Sequence, residues 1–312
     1  MSVAACLLLY SFVVCVVGPP ILRRLTREGH APRYGVAAWL TAIGSVLISW
    51  LMAAVLIVGD LVTGGEHSNG VVASCLAVLC DVLTGYAGRI PQVLLLAAAA
   101  AGVIAASLAG ARIARALARL RAGALEHADG VRLVGRPVGQ DVFVIDASER
   151  AAYCVSGRPP VIVVTTGALA ALDDDQLGAV LAHERAHLAG RHHQVIAALR
   201  SLAVVFPKLS LMTQGATEVS RILEMCADDA AARRFGHRAL LLGLMSLVGA
   251  APAGSLGAAD VAVLSRAERL AVPATPPTQI RARAALTSAS TLMAGGPLLI
   301  LALMASGTLM CG

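Results

Sequence analysis

Four stretches of this chain, roughly residues 3–22, 36–58, 92–110 and 291–311, are apolar over the ~20 residues that a helix needs to cross about 30 Å of hydrocarbon. They set the surroundings in which every other feature is read. With 57% hydrophobic and 14% charged residues, the chain is too apolar for an ordinary soluble domain and is expected in a bilayer. Gly18-Pro19-Pro20 should end or kink the first span near its inner end. That span lacks a basic start and runs into arginines rather than a small-residue cleavage site, so it reads as a retained helix and not as a secretory signal.

Arginine placement gives the orientation. Arg23, Arg24, Arg27 and Arg33 follow the first span, and Arg112, Arg115, Arg119 and Arg121 follow the third. The 59–90 loop instead carries Arg89 against Asp60, Glu66 and Asp81. The positive-inside rule then places the amino terminus outside and residues 111–290 in the cytoplasm. The expected architecture is mainly α. Three spans occupy 1–110, a folded domain fills 111–290, and a last span lies in 291–312. Val142–Ile145 and Val161–Val164 are short β-branched runs bounded by Asp, Gly and Pro, which makes the inserted domain α+β with a small sheet.

Within that domain, His183-Glu184-Arg185-Ala186-His187 places two histidines four residues apart, on one helical face, where they can share a metal ion. Asp173-Asp174-Asp175-Gln176 supplies a cap and first-turn acids for the helix, and Leu177, Val180, Leu181 and Ala182 continue it with apolar spacing. Two imidazoles suit zinc, and Glu184 between them is placed to activate a water molecule. A catalytic zinc site takes three protein ligands and keeps one position open. The candidates for the third are Glu224 and Asp228, again four apart on one helical face; one can bind the metal while the other supports. Glu224 is assigned to the metal. Asp228 is assigned to a hydrogen bond that fixes the tautomer of a ligand histidine, and Asp229 is expected to be solvated.

Leu181-Ala182-His183-Glu184-Arg185-Ala186-His187, followed by Glu224-Met225-Cys226-Ala227-Asp228-Asp229-Ala230-Ala231, resembles the membrane-embedded gluzincin peptidases. The layout of spans favours the BlaR1/MecR1-like M56 family, with the M48 family of HtpX and Ste24 proteases as the alternative. The resemblance implies one Zn2+ per chain and a zinc-dependent endopeptidase that cuts a protein or peptide at the cytoplasmic face of the cell membrane. An M56-like enzyme would act in regulatory proteolysis, for instance on a BlaI-like repressor, and an M48-like one in membrane-protein quality control. No Ser-x-x-Lys sensor follows residue 290, so direct β-lactam sensing is not expected. In zincins an edge strand near the metal can pair with an extended substrate, and 161–164 is the run suited to that. A third reading, from another class, is a catalytically silent receptor that uses zinc only to hold its domain together.

The remaining candidates stand at the margins. His237 could polarise a scissile carbonyl; otherwise it is a surface histidine. His192 and His193 are adjacent, so their side chains diverge on a helix, and a solvated or membrane-facing place is expected for them. Thr275-Pro276-Pro277 with Arg281 resembles a His-Pro-Pro and arginine segment near the end of these peptidase domains, with threonine in place of histidine. Arg281 is expected either in a buried ion pair or at the membrane edge. Residues 194–212 read as an amphipathic segment lying on the inner leaflet or on the bundle, because Arg200, Pro207 and Lys208 interrupt it. The seven cysteines form no metal motif; Cys75 and Cys80 could pair, although a helix there would orient them poorly. Cys226 is expected to be a small packed residue. With 3% aromatics and arginines that flank the membrane, a direct nucleic-acid partner is not expected, whereas acidic lipid head groups are suitable contacts.

Overall fold

The computed structural model describes residues 3–62, 89–248 and 258–305. Helices α1 (Val3–Thr26) and α2 (Pro32–Val62) form an antiparallel pair, and α3 (Arg89–Val134) leads into a small sheet. The strands are β1 (Arg136–Pro137), β2 (Val142–Ile145), β3 (Ala152–Val155) and β4 (Val161–Thr165). Helices α4 (Thr166–Ala171), α5 (Asp174–Ala189), α6 (His192–Val205) and α7 (Ser210–Phe235) follow. The described chain closes with α8 (His237–Val248), α9 (Ala258–Ala271) and α10 (Pro276–Ala305).

Three of these helices are long and apolar enough to cross a membrane: Val3–Thr26, Pro32–Ile57 and Pro276–Leu303. The first does not end at its prolines. Pro19 and Leu22 are buried on the packed face of α1, and that packing outweighs the backbone bonds that two prolines remove. The last helix begins at Pro276, well before residue 291, since a proline at the first helical position is already set for helix geometry. The expected span at 92–110 falls in α3, and most of its side chains lie outside the described residues, as do Cys75, Cys80 and the 63–88 segment.

The sheet runs in the order β1-β2-β4-β3, with β2 and β4 parallel and the other pairings antiparallel. All five residues of β4 are buried, and they alternate between two cores. Val161 and Val163 join Val155 and the α3 residues Ala128 and Val131. Ile162 and Val164 join Val142 and Ala168 against Leu177, Leu181 and Leu188 of α5. The 161–164 run is therefore an interior strand and not the edge expected from sequence. Its continuous burial is the mark of a strand covered on both faces. The edge on that side is β3, a four-residue strand whose Ala152-Tyr153-Cys154-Val155 gives little strand signal of its own.

A separate core joins the membrane helices to the domain. Trp39, Ala42 and Ile43 of α2 are buried with Leu211, Met212, Val219 and Ile222 of α7, Leu199 of α6 and Leu286 of α10. Helix α6 thus takes the second of its two expected places, packing on the bundle. Between α5 and α7, Ala179 and Ala182 meet Ala231 and Ala232, and these short side chains let the two helices approach closely.

Candidate metal centre

Helix α5 begins at Asp173, whose carboxylate accepts from the Gln176 backbone N–H at 2.8 Å and from Gln176 Nε2 at 2.7 Å. The sheet side of α5 buries Leu177, Leu181 and Leu188, and the turn of the helix then presents His183 and His187 toward α7. Both histidines are buried, and their Nε2 atoms stand 3.1 Å apart. Glu224 of α7 brings Oε2 to 3.4 Å from His183 Nε2 and Oε1 to 3.4 Å from His187 Nε2.

Tetrahedral zinc with bonds of about 2.0–2.1 Å separates its donor atoms by roughly 3.3–3.4 Å. The three donors here therefore fit one zinc ion by spacing as well as by chemistry, and they form the cluster whose ligand atoms all lie within 4.8 Å of one another.

A family model described as Peptidase family M48 matches residues 115–299, well over half of the chain. The chain belongs to peptidase family M48. M48 enzymes are zinc metallopeptidases, in keeping with the His183, His187 and Glu224 cluster. The match supports the second of the two family readings; the M56 assignment, which rested on counting spans, receives no support. Searches of curated proteins and of solved structures return no match.

Around the candidate ligand cluster of this M48 protein lies a shell of charge. Asp228 is fully buried, with Oδ1 at 3.1 Å from His183 Nδ1, a bent contact rather than a well-aligned hydrogen bond. Arg266 of α9 grips the same carboxylate with two nitrogens, Nε to Oδ2 at 2.8 Å and Nη2 to Oδ1 at 2.7 Å, and places Nη1 3.2 Å from Glu224 Oε2. Burial works against the charge on His183, but its contacts with Asp228 and Glu224 prevail and push it up to about 9 in the absence of metal. Burial likewise opposes the charges of Glu224 and Asp228. For Glu224 the two histidines and Arg266 outweigh that cost, and for Asp228 Arg266 and His183 do, so both carboxyls are held below their ordinary range.

Sequence reasoning missed Arg266. Of the two places expected for Arg281, a buried ion pair or the membrane edge, the first does not hold, since Arg281 is exposed at the start of α10. The only signal in the sequence is an arginine at 266 in an amphipathic helix, and its partner lies 38 residues away. Asp229 also departs from expectation, since it pairs with Arg269 at 2.7 Å instead of being free in solvent.

His192 is buried rather than solvated or membrane-facing, with Nδ1 2.9 Å from His187 Nδ1. The reason is a break that the sequence reading did not include. Helix α5 ends at Gly190, Arg191 takes a left-handed conformation with φ 51°, and α6 restarts at His192. His192 thereby folds back over His187. A Cβ at position 190 would stand 2.3 Å from His192 Nε2, so only glycine admits this approach. Burial, then the neighbouring His187, lowers His192 to about 4 and keeps it neutral. Its Nδ1 lone pair can then accept the His187 Nδ1–H, which leaves the His187 Nε2 lone pair for a metal.

Glu184 is half-buried beside Cys154 of β3, whose thiol also lies 3.8 Å from His193 Nε2. Burial first, and the Glu184 charge second, push the thiol up. His237 opens α8 at a cleft of about 360 Å³ shared with His30, Asp229, Arg233 and Arg269; none of His183, Glu184, His187 or Glu224 lines that cleft. Cys226 is packed and buried.

Proposed function

We propose that this M48 protein is a zinc-dependent endopeptidase embedded in the cell membrane, cutting peptide bonds at the cytoplasmic face. The observation that carries the reading is the convergence of His183, His187 and Glu224, from two helices, with Glu184 one residue from the first ligand. When bound, zinc supplies a Lewis acid that lowers the pKa of water toward about 7 and polarises a peptide carbonyl.

The chain's own residues do the rest. Glu184 takes the proton of the attacking water on its carboxylate and delivers it to the leaving amine. Asp228 and His192 hold the two ligand imidazoles from behind, each through a ring Nδ1. The edge strand β3, which packs beside α5, is the strand placed to pair with an extended substrate. A silent receptor would need neither a base at 184 nor a free coordination position.

The cytoplasmic placement rests on the arginines that follow α1 and those that line the second half of α3. Membership of M48 favours a role in membrane-protein quality control over a BlaR1-like regulatory one. The test is Glu184→Gln in purified, detergent-solubilised protein. Zinc content should stay at the wild-type value while casein or self-cleavage falls by about 10²–10⁴-fold. Full proteolysis by the zinc-loaded variant would end the proposal.

A further inference from the structure

Beyond the metal centre, one face of α7 borders an open cleft of about 870 Å³ that reaches the metal ligand Glu224. Five arginines line it: Arg23 and Arg24 at the end of α1, Arg27 just after it, Arg200 of α6 and Arg221 of α7. Two carboxylates line it as well, and they offset only part of this charge. Glu218 is already held by Arg221 at 3.0 Å and Arg23 at 3.4 Å, and Glu224 faces the two histidines. Among the described residues, Arg24, Arg27 and Arg200 are exposed and have no carboxylate partner.

Arginines that flank a membrane span are common, and Arg23, Arg24 and Arg27 alone would say no more than that. Arg200 and Arg221 come from helices of the peptidase domain, however, and face into the same cleft. A cleft lined by one sign of charge concentrates the opposite charge within it. Because this one reaches Glu224, an occupant at that end lies next to the candidate metal cluster. Thr217 and Ser220 add hydroxyls that suit a peptide backbone.

We propose that this cleft is a subsite for acidic side chains of the peptide substrate, held by Arg24, Arg27 and Arg200. The inference rests on the peptidase reading and extends it to a substrate class. A polypeptide is favoured over a lipid head group because the cleft is continuous with Glu224 and is large enough for several side chains.

The test uses full-length, zinc-loaded protein carrying Glu184→Gln, so that binding is read without cleavage. Two fluorescent peptides of one sequence are compared, with Asp and Glu in the first and Asn and Gln in the second. The acidic peptide should bind about tenfold more tightly, a difference that shrinks in high salt. Arg24→Gln, Arg27→Gln and Arg200→Gln together should bring the ratio to within about twofold of one, while lysine at the same three positions should preserve most of the preference. Equal zinc content in every variant shows that the site is still folded. The inference is overturned by equal affinities in the parent protein, or by a preference that survives the triple glutamine change. It is also overturned if that change weakens retention of phosphatidylglycerol over phosphatidylcholine in nanodiscs and leaves the peptide ratio untouched. Cleavage of both peptides by protein with Glu184 intact is measured alongside. Its failure would count against the peptidase reading, while the binding ratio would still decide the subsite.

Discussion

The helix that carries His183 and His187 and the helix that carries Glu224 are held by different parts of the molecule. Helix α5 lies on the sheet through Leu177, Leu181 and Leu188, whereas α7 is rooted among the membrane helices through Leu211, Met212, Val219 and Ile222. The alanine seam and the charged cluster of His183, Glu224, Asp228 and Arg266 join the two. The candidate metal centre therefore sits at the joint between a sheet-held half and a membrane-held half. Its integrity depends on cores that share no residues, and each core can be disturbed separately.

The most damaging change should be at the joint itself. Arg266→Ala leaves the fully buried Asp228 without its bidentate partner, which should cost about 3–5 kcal/mol of stability. Denaturation in detergent measures this, and Arg266→Lys should recover little because a lysine cannot make the two-pronged contact. A loss below about 1 kcal/mol, on the scale of an exposed pair, would show that the pair is solvated.

The membrane-held half is probed by Trp39→Ala, far from any ligand. Emptying that wholly buried position should cost about 3–5 kcal/mol and weaken zinc binding by loosening α7. Zinc titration of the folded variant checks this. Unchanged affinity would mean that α7 is positioned from the α5 side alone.

A pH titration sharpens the contrast between the two halves. His183, on the sheet-held helix, is raised to about 9 from an ordinary 6.5, so its charge stabilises the metal-free protein fully below about pH 6.5 and ceases to as pH rises through 9. Glu224 and Asp228, on the membrane-held helix, are lowered, so their contribution is present at neutral pH and lost in acid. Zinc must displace a proton from His183 Nε2. Its affinity should therefore rise about tenfold per pH unit between about 6.5 and 9, while the stability of the metal-free protein falls. A flat affinity over that range would show that His183 is neutral before zinc arrives.

The smallest effect is expected at the far end of α5. Asp173→Ala removes the cap that accepts from Gln176 and should cost about 1 kcal/mol with zinc affinity little changed, as read by thermal denaturation and zinc titration.

The sheet-held half was the more legible in the sequence. Asp173, the apolar spacing of α5 and the paired histidines are local signals within fifteen residues, and the structure places them as their spacing implies. The structure also brings Glu224 and Asp228 to the histidines, because the i and i+4 spacing that puts them on one face is local too. What stayed hidden depends on contacts between distant segments. Arg266 acquires its meaning only when α9 folds against α7, and His192 only because the chain reverses at Arg191. The edge place expected for 161–164 was overturned for the same reason. A buried run such as Val161–Val164 looks alike at the edge or the centre of a sheet until β3 is known to pair beside it.

X-ray absorption at the zinc edge of the purified full-length protein, with Glu224→Ala measured in parallel, tests the central claim most directly. One zinc per chain is predicted, bound by two imidazole nitrogens and a carboxylate oxygen at about 2.0–2.1 Å and with no sulfur neighbour. In the Glu224→Ala protein the metal should be lost or its carboxylate contribution removed. A sulfur shell at about 2.3 Å, or a spectrum and zinc content that Glu224→Ala leaves unchanged, would contradict a site shared between the sheet-held and membrane-held helices.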